Sequence, residues 1–136
     1  MDIREFQMAD YDAVVELWRS SGIRQNVGDD PSSIAGLLAR DPGLLLVAVQ
    51  DGEIAGSVIG AFDGRRGWIY HLAVGPPHQG KEIGSSLLET VEARLRSRGC
   101  AKVNLLIESD NSGVQSFYER LGYDQKQLVF MEKRLS

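Results

Sequence analysis

The residue order predicts an α/β (α+β) domain with a mixed, mainly antiparallel central sheet of about six or seven strands flanked by about four helices. Three observations carry this. Residues 44–49, 54–62 and 68–74 are apolar runs too short and too rich in β-branched or aromatic residues for helices. The pairs Asp51-Gly52 and Asp63-Gly64 separate them and supply the positive φ angles of tight hairpin turns, so the three strands form an antiparallel meander. Stretches of helical periodicity lie before and after them.

In chain order, residues 2–6 read as an opening strand, and Tyr11, Val14, Val15 and Trp18 recur at helical spacing behind a candidate cap, Asp10. A polar Gly/Asp/Ser segment, 22–33, leads into a short helix with Pro31 in its first turn and Ile34, Leu37 and Leu38 on one face. After the meander comes Gly75-Pro76-Pro77-His78-Gln79-Gly80, then a helix with Ile83, Leu87, Leu88, Val91 and Leu95 on one side that Gly99 terminates. Residues 102–107 read as a further strand. Val114, Phe117, Tyr118 and Leu121 share one side of a helix that Asp110 or Asn111 can cap and Gly122 can end, and 128–131 reads as a closing strand.

With 136 residues, 43% apolar and 25% charged, the chain has the size and balance of a single domain spanning 1–136, which argues against disorder, a coiled coil or a disulfide scaffold. The net charge of −4 gives no long-range pull toward nucleic acid or anionic lipid. The longest wholly apolar run, 44–49, falls far short of the ~20 residues that span a bilayer, so no membrane is expected. No basic segment followed by an apolar one opens the chain, which makes the cytoplasm the default. Cys100 is the only cysteine and reads as a small core residue, and no two histidines have ligand spacing, so no metal is expected.

The chemistry is concentrated between residues 68 and 88, where a glycine-bearing loop leads from a strand into a helix. Such a loop presents unpaired N–H groups beside the positive helix end, a site for phosphate. By themselves Gly80 and Gly84 fit equally well a tight turn and close packing. Gly75, Gly80 and Lys81 also reproduce the start of a P-loop. That alternative ranks lower, because Glu82 stands where magnesium needs Ser or Thr, Pro76 and Pro77 remove two N–H donors, and hairpin-linked strands are the wrong setting.

Val74-Gly75-Pro76-Pro77-His78-Gln79-Gly80-Lys81-Glu82-Ile83-Gly84 resembles the acetyl-coenzyme A signature of the GNAT superfamily of N-acetyltransferases, with Gln79 and Gly84 matching. Asn111, Val114, Phe117, Tyr118, Leu121, Gly122 and Tyr123 resemble the superfamily's second motif. The opening, Ile3-Arg4 with Asp10, Val14 and Leu17-Trp18, is similar to bacterial members of the YpeA type. The resemblance implies a GNAT fold and acetyl-CoA as cosubstrate, its pyrophosphate wrapped by Gln79, Gly80, Lys81, Glu82, Ile83, Gly84 and Ser85. It also implies backbone contacts to the pantetheine arm and oxyanion from Leu72, Ala73 and Val74 at a splayed or bulged strand end. Asn111 would hold the cosubstrate from the other side of the splay, and Tyr118 would protonate the departing thiolate.

Each assignment has a plainer counterpart: Tyr118 also fits the core stripe, and Asn111 a helix cap. His71 and Glu108, near the ends of the two flanking strands, are candidates for the base that deprotonates the amine, although His71 also fits a hydrogen-bonded core position. Strand alternation places Tyr70 and Trp68 on the face opposite His71. Trp68, Tyr70, Arg65 and Arg66 are candidates for the acceptor side, and Arg65 and Arg66 fit an exposed turn as well.

The chain departs from the signature at its middle glycine, where it has Glu82. Pointing outward, Glu82 leaves its N–H to the phosphate; at positive φ or in close approach its side chain costs more. The implied activity is direct transfer of acetyl from acetyl-CoA to a primary amine in a ternary complex, the acceptor being a small metabolite, a peptide N-terminus or a lysine side chain. The rival is a weakened or non-catalytic acyl-CoA-binding regulatory module, motivated by Glu82. Exposed edge strands leave room for a homodimer, and no residue pattern fixes its surface.

Overall fold

Five strands make one sheet in the order β1-β2-β3-β4-β5 in the computed structural model of the chain, which describes residues 1–108 and 111–136. The strands are β1 (Asp2–Glu5), β2 (Leu45–Gln50), β3 (Glu53–Phe62), β4 (Gly67–Val74) and β5 (Val103–Asn104), and the helices are α1 (Tyr11–Ser20), α2 (Pro31–Arg40), α3 (Ile83–Ser97) and α4 (Gln115–Arg120). Residues Met1–Leu105 and Leu106–Ser136 form two compact units. Among the described residues no helix is long and apolar enough to cross a membrane.

In the first unit β1 to β4 pair antiparallel, and β5 pairs parallel with β4 after the crossover through α3 that a parallel neighbour requires. Asp51 and Gly52 both have positive φ, 53° and 78°, as the tight turn between β2 and β3 requires. The next connection is longer than expected. Only Gly64 has positive φ there, and the Asp63 carboxylate accepts the N–H groups of Arg65 and Arg66 at 2.7 Å each, closing a loop over residues 63–66.

The sheet is covered on both faces. Val14, Leu17 and Trp18 of α1 and Ile34 of α2 pack with Leu45, Val47, Ile59 and Ala73. The other face takes α3, because Gly56 and Gly60 leave room for Ile83, Leu87 and Val91. A Cβ on Gly56 would stand 2.9 Å from Leu87 Cδ1 and 3.0 Å from the Ala73 carbonyl oxygen. This close approach fixes where α3 starts, and with it the loop that precedes the helix.

Several expectations change. Asp10 gives α1 no side-chain cap; its carboxylate pairs with Arg4 at 2.8 Å and accepts the Gln7 N–H at 2.8 Å in the capping box of the 3-10 turn Met8–Asp10. Asp30 caps α2, accepting the Ser33 N–H. The strand read at 102–107 shortens to Val103–Asn104, because β4 offers it only Gly67 and Trp68 as partners. Residues 128–131 form no strand: Leu128 to Met131 lack a ladder partner among the described residues, without which an apolar run gains no strand. In the second unit α4 follows a 3-10 turn at Ser112–Val114, and Val114 at its head provides no side-chain cap. Asp110, the other candidate cap, lies outside the described residues.

Candidate active site

The register of β3 with β4 contains one irregularity, and it shapes the site. Ser57 faces Ala73 and Ile59 faces Tyr70, so His71 and Leu72 together oppose Val58 in a β-bulge. His71 takes φ 48°, the left-handed conformation that a bulge residue adopts. Strict alternation fails here: the extra residue brings His71 and Tyr70 to one pocket of about 480 Å³, correcting the expectation that they face apart. Trp68 stacks on Tyr70 with ring centroids 6.2 Å apart, while Arg65 and Arg66 serve the turn with their backbone N–H groups.

The His71 ring lies edge-on to Trp18, centroids 4.7 Å apart, and its Nε2 is 2.9 Å from Asp29 Oδ2. Trp18 in turn donates its indole N–H to Ser57 Oγ at 3.0 Å beneath the bulge. Asp29 is buried and accepts the Asn26 N–H at 3.0 Å, and its carbonyl accepts the Tyr11 hydroxyl at 2.7 Å. Sequence reasoning missed Asp29. It stands 42 residues from His71, and in that segment only Pro31, in the first turn of the helix, drew notice.

Beyond Trp68 the ladder between β4 and β5 stops, which leaves the β5-side edge of residues 69–74 without a strand partner among the described residues. Leu72, Ala73 and Val74 lie on this stretch, at and just beyond the bulge. Gln79 donates its side-chain amide to the Val74 carbonyl at 3.2 Å and so ties the loop back to the strand. After the 3-10 turn Pro76–His78, the N–H groups of Gly80, Lys81, Glu82, Ile83, Gly84 and Ser85 meet no protein acceptor among the described residues. Six consecutive free donors at the positive end of a fifteen-residue helix suit a diphosphate.

Glu82 shows one feature of each alternative, a positive φ and an exposed side chain. It adopts φ 64° and ψ 17° as the cap of α3, the conformation that favours glycine, and its exposed side chain makes no capping bond. Its carbonyl accepts the Ser85 hydroxyl at 3.0 Å and the Ser86 N–H at 3.1 Å, leaving its own N–H available.

The second unit carries the remaining candidates. Tyr118 is buried, with ring contacts to Phe117 at 5.2 Å and Tyr123 at 5.5 Å, and burial pushes its phenol up to about 12. It therefore keeps its proton at neutral pH. Asn111 donates its N–H to the Glu108 carbonyl at 2.9 Å, and its own carbonyl accepts the Val114 N–H at 3.2 Å. Asn111 acts there through its backbone, and Glu108 is exposed. His71, residues 72–74 and residues 79–85 thus follow one another along one strand, loop and helix, whereas Glu108, Asn111 and Tyr118 stand in the other unit.

The model of the acetyltransferase (GNAT) family matches residues 4–123. An acetyltransferase of Pectobacterium atrosepticum is 39% identical over 135 residues, covering 99% of this chain and 96% of that protein. One from Sodalis glossinidius is 39% identical over 136 residues with the same coverage. Among solved structures, the PaiA N-acetyltransferase of Thermoplasma acidophilum in complex with coenzyme A superposes with a TM-score of 0.82 at 20% identity, covering 94% of this chain and 92% of that one. Ard1 of Thermoplasma volcanium gives 0.79 at 23% identity, covering 89% and 80%. The structures speak for the fold, the family model and the bacterial relatives for descent, and the chain belongs to the acetyltransferase (GNAT) family.

Proposed function

We propose that the protein is an N-acetyltransferase that moves the acetyl group of acetyl-CoA to a primary amine by direct attack in a ternary complex. The observation that carries this is the run of free N–H groups over residues 80–85 at the head of α3. Acetyl-CoA supplies an activated thioester. The loop amides hold its diphosphate, and Gln79 keeps that loop against the end of β4.

The exposed backbone of Leu72, Ala73 and Val74 binds the pantetheine arm and the carbonyl oxygen on which negative charge develops. An alkyl ammonium has a pKa of about 10.4, so a base must remove one proton before attack. His71, in the pocket beside Tyr70, takes that role in preference to the exposed Glu108. The C–N bond forms as the C–S bond breaks, Tyr118 delivers a proton to the thiolate, and the amine's second proton, lost as the amide forms, passes through water to restore the Tyr118 phenol, so that only the proton taken by His71 is released. Asn111 contributes through the segment that precedes α4.

A thermal melt with acetyl-CoA tests the first step. Ligand at ~100 times its dissociation constant adds roughly 2.7 kcal/mol and raises the midpoint by several degrees. Thiol release across a panel of metabolite, peptide and lysine amines then tests turnover. An unmoved midpoint would end the proposal, and a shift without thiol release would leave only acyl-CoA binding.

A further inference from the structure

Asp29 closes the turn over residues 26–29 and at the same time reaches across the pocket to His71, a contact the turn itself does not require. The cap of α2 is already Asp30, which accepts both the N–H and the hydroxyl of Ser33. Asp29 instead turns inward from the segment between α1 and α2, where only 8% of its surface is exposed, and sets Oδ2 2.9 Å from His71 Nε2. It is held from two further sides, by the Asn26 N–H on Oδ2 and the Tyr11 hydroxyl on its carbonyl. Around His71, α1 offers the indole of Trp18 and β3 the hydroxyl of Ser57, neither of which ionises near neutrality. The other ionisable groups lining the pocket are Tyr70 and Arg40, and Arg40 is engaged by Asp41 at 3.6 Å. His71 Nδ1 has no protein partner among the described residues and is open to solvent.

Resting on the acetyl-transfer mechanism above, we propose that Asp29 is the positioning residue for His71: it accepts the Nε2–H, so that the neutral ring carries its lone pair on Nδ1, turned to the acceptor amine. A carboxylate that accepts only, placed on one ring nitrogen, fixes the tautomer and steadies the imidazolium that forms when the other nitrogen takes a proton. The step balances. One N–H bond of the ammonium breaks as one forms on Nδ1, the ring gains a positive charge beside the Asp29 carboxylate, and the proton later passes to water. The left-handed backbone of His71 belongs to the same device, because without the bulge its ring would leave the pocket.

Two measurements test this independently. The nitrogen shifts of the His71 ring, read by NMR on the free protein, are expected to report the Nε2–H tautomer, and in Asp29→Asn a mixture of the two. A wild-type ring protonated on Nδ1 alone overturns the proposal, whatever the protein's activity. In thiol-release assays, Asp29→Asn is expected to lower kcat about ten- to a hundredfold with KM for acetyl-CoA unchanged, and Asp29→Glu to recover part of the loss. An Asp29→Asn enzyme with unaltered kcat, even if its melting point falls, overturns the proposal and leaves Asp29 as a loop anchor. Failure of the acetyl-transfer mechanism itself shows separately, as wild-type protein that releases no thiol with any amine while the tautomer is still Nε2–H.

Discussion

Glu82 has a left-handed backbone at the head of α3, and in the proposed function its carboxylate adds a second penalty beside the loop amides that hold the diphosphate. A left-handed L-residue is disfavoured by roughly 1–2 kcal/mol, and two unit charges ~5 Å apart repel by about 1 kcal/mol in water and more at lower dielectric. Glu82→Gly is therefore expected to tighten acetyl-CoA binding about tenfold, measured by titration calorimetry, without lowering the melting point. Glu82→Gln separates the two effects, since it removes the charge and keeps the strain; equal affinity in all three proteins would show that the carboxylate plays no part. At Tyr118 the outcome is kinetic. Its phenol stays protonated through the working range, so Tyr118→Phe is expected to lower kcat by about a hundredfold while acetyl-CoA affinity holds, and an unchanged kcat would remove it from the mechanism.

Packing between elements sets the position of the loop. The Ala73 carbonyl oxygen, 3.0 Å from a Cβ built on Gly56, cannot move without disturbing β4, so Gly56→Ala is expected to destabilise the fold by about 1–3 kcal/mol in urea titrations. A loss below about 0.5 kcal/mol would mean that α3 slides freely over β3. At this scale the sequence was read most successfully where the signals are local. The meander, the Asp51-Gly52 turn, Pro31 at the start of α2 and the apolar face of α3 each rest on a few adjacent residues. Tertiary decisions stayed hidden: the pairing of Asp10 with Arg4, the extra residue in β4, and the contact of His71 with Asp29 across 42 positions. The loop leading into α3 was legible from its glycines, but the backbone of Glu82 was not, because a side chain's identity does not report its φ.

For the molecule as a whole, pH acts from both ends. The Arg4 guanidinium, bonded to Asp10, holds that carboxyl below its ordinary value, with the Gln7 N–H helping. The folded state binds that proton more weakly than the unfolded chain, so the pair's stabilisation is full above a carboxylate's usual pKa and disappears as pH falls through the lower folded value. Asp10→Asn is thus expected to reduce the melting point by a few degrees at pH 7 and hardly at all near pH 2; an equal loss at both would point to shape rather than charge. On the alkaline side Tyr118 titrates higher folded than unfolded, so its neutral form favours the fold up to about pH 10, and that contribution drains away as pH approaches about 12.

The bulge in β4 also acts as a change of parity. Before it, even-numbered residues such as Tyr70 look toward α1 and α2; after it, odd-numbered ones such as Ala73 do. Deleting Leu72 would leave Tyr70 opposite Ile59 and Ala73 opposite Ser57 but pair His71 directly with Val58, turning the His71 side chain alone to the face of α3. In the proposed mechanism that one supernumerary residue keeps the His71 ring on the side of Tyr70, in a strand whose far end is to carry the acyl group.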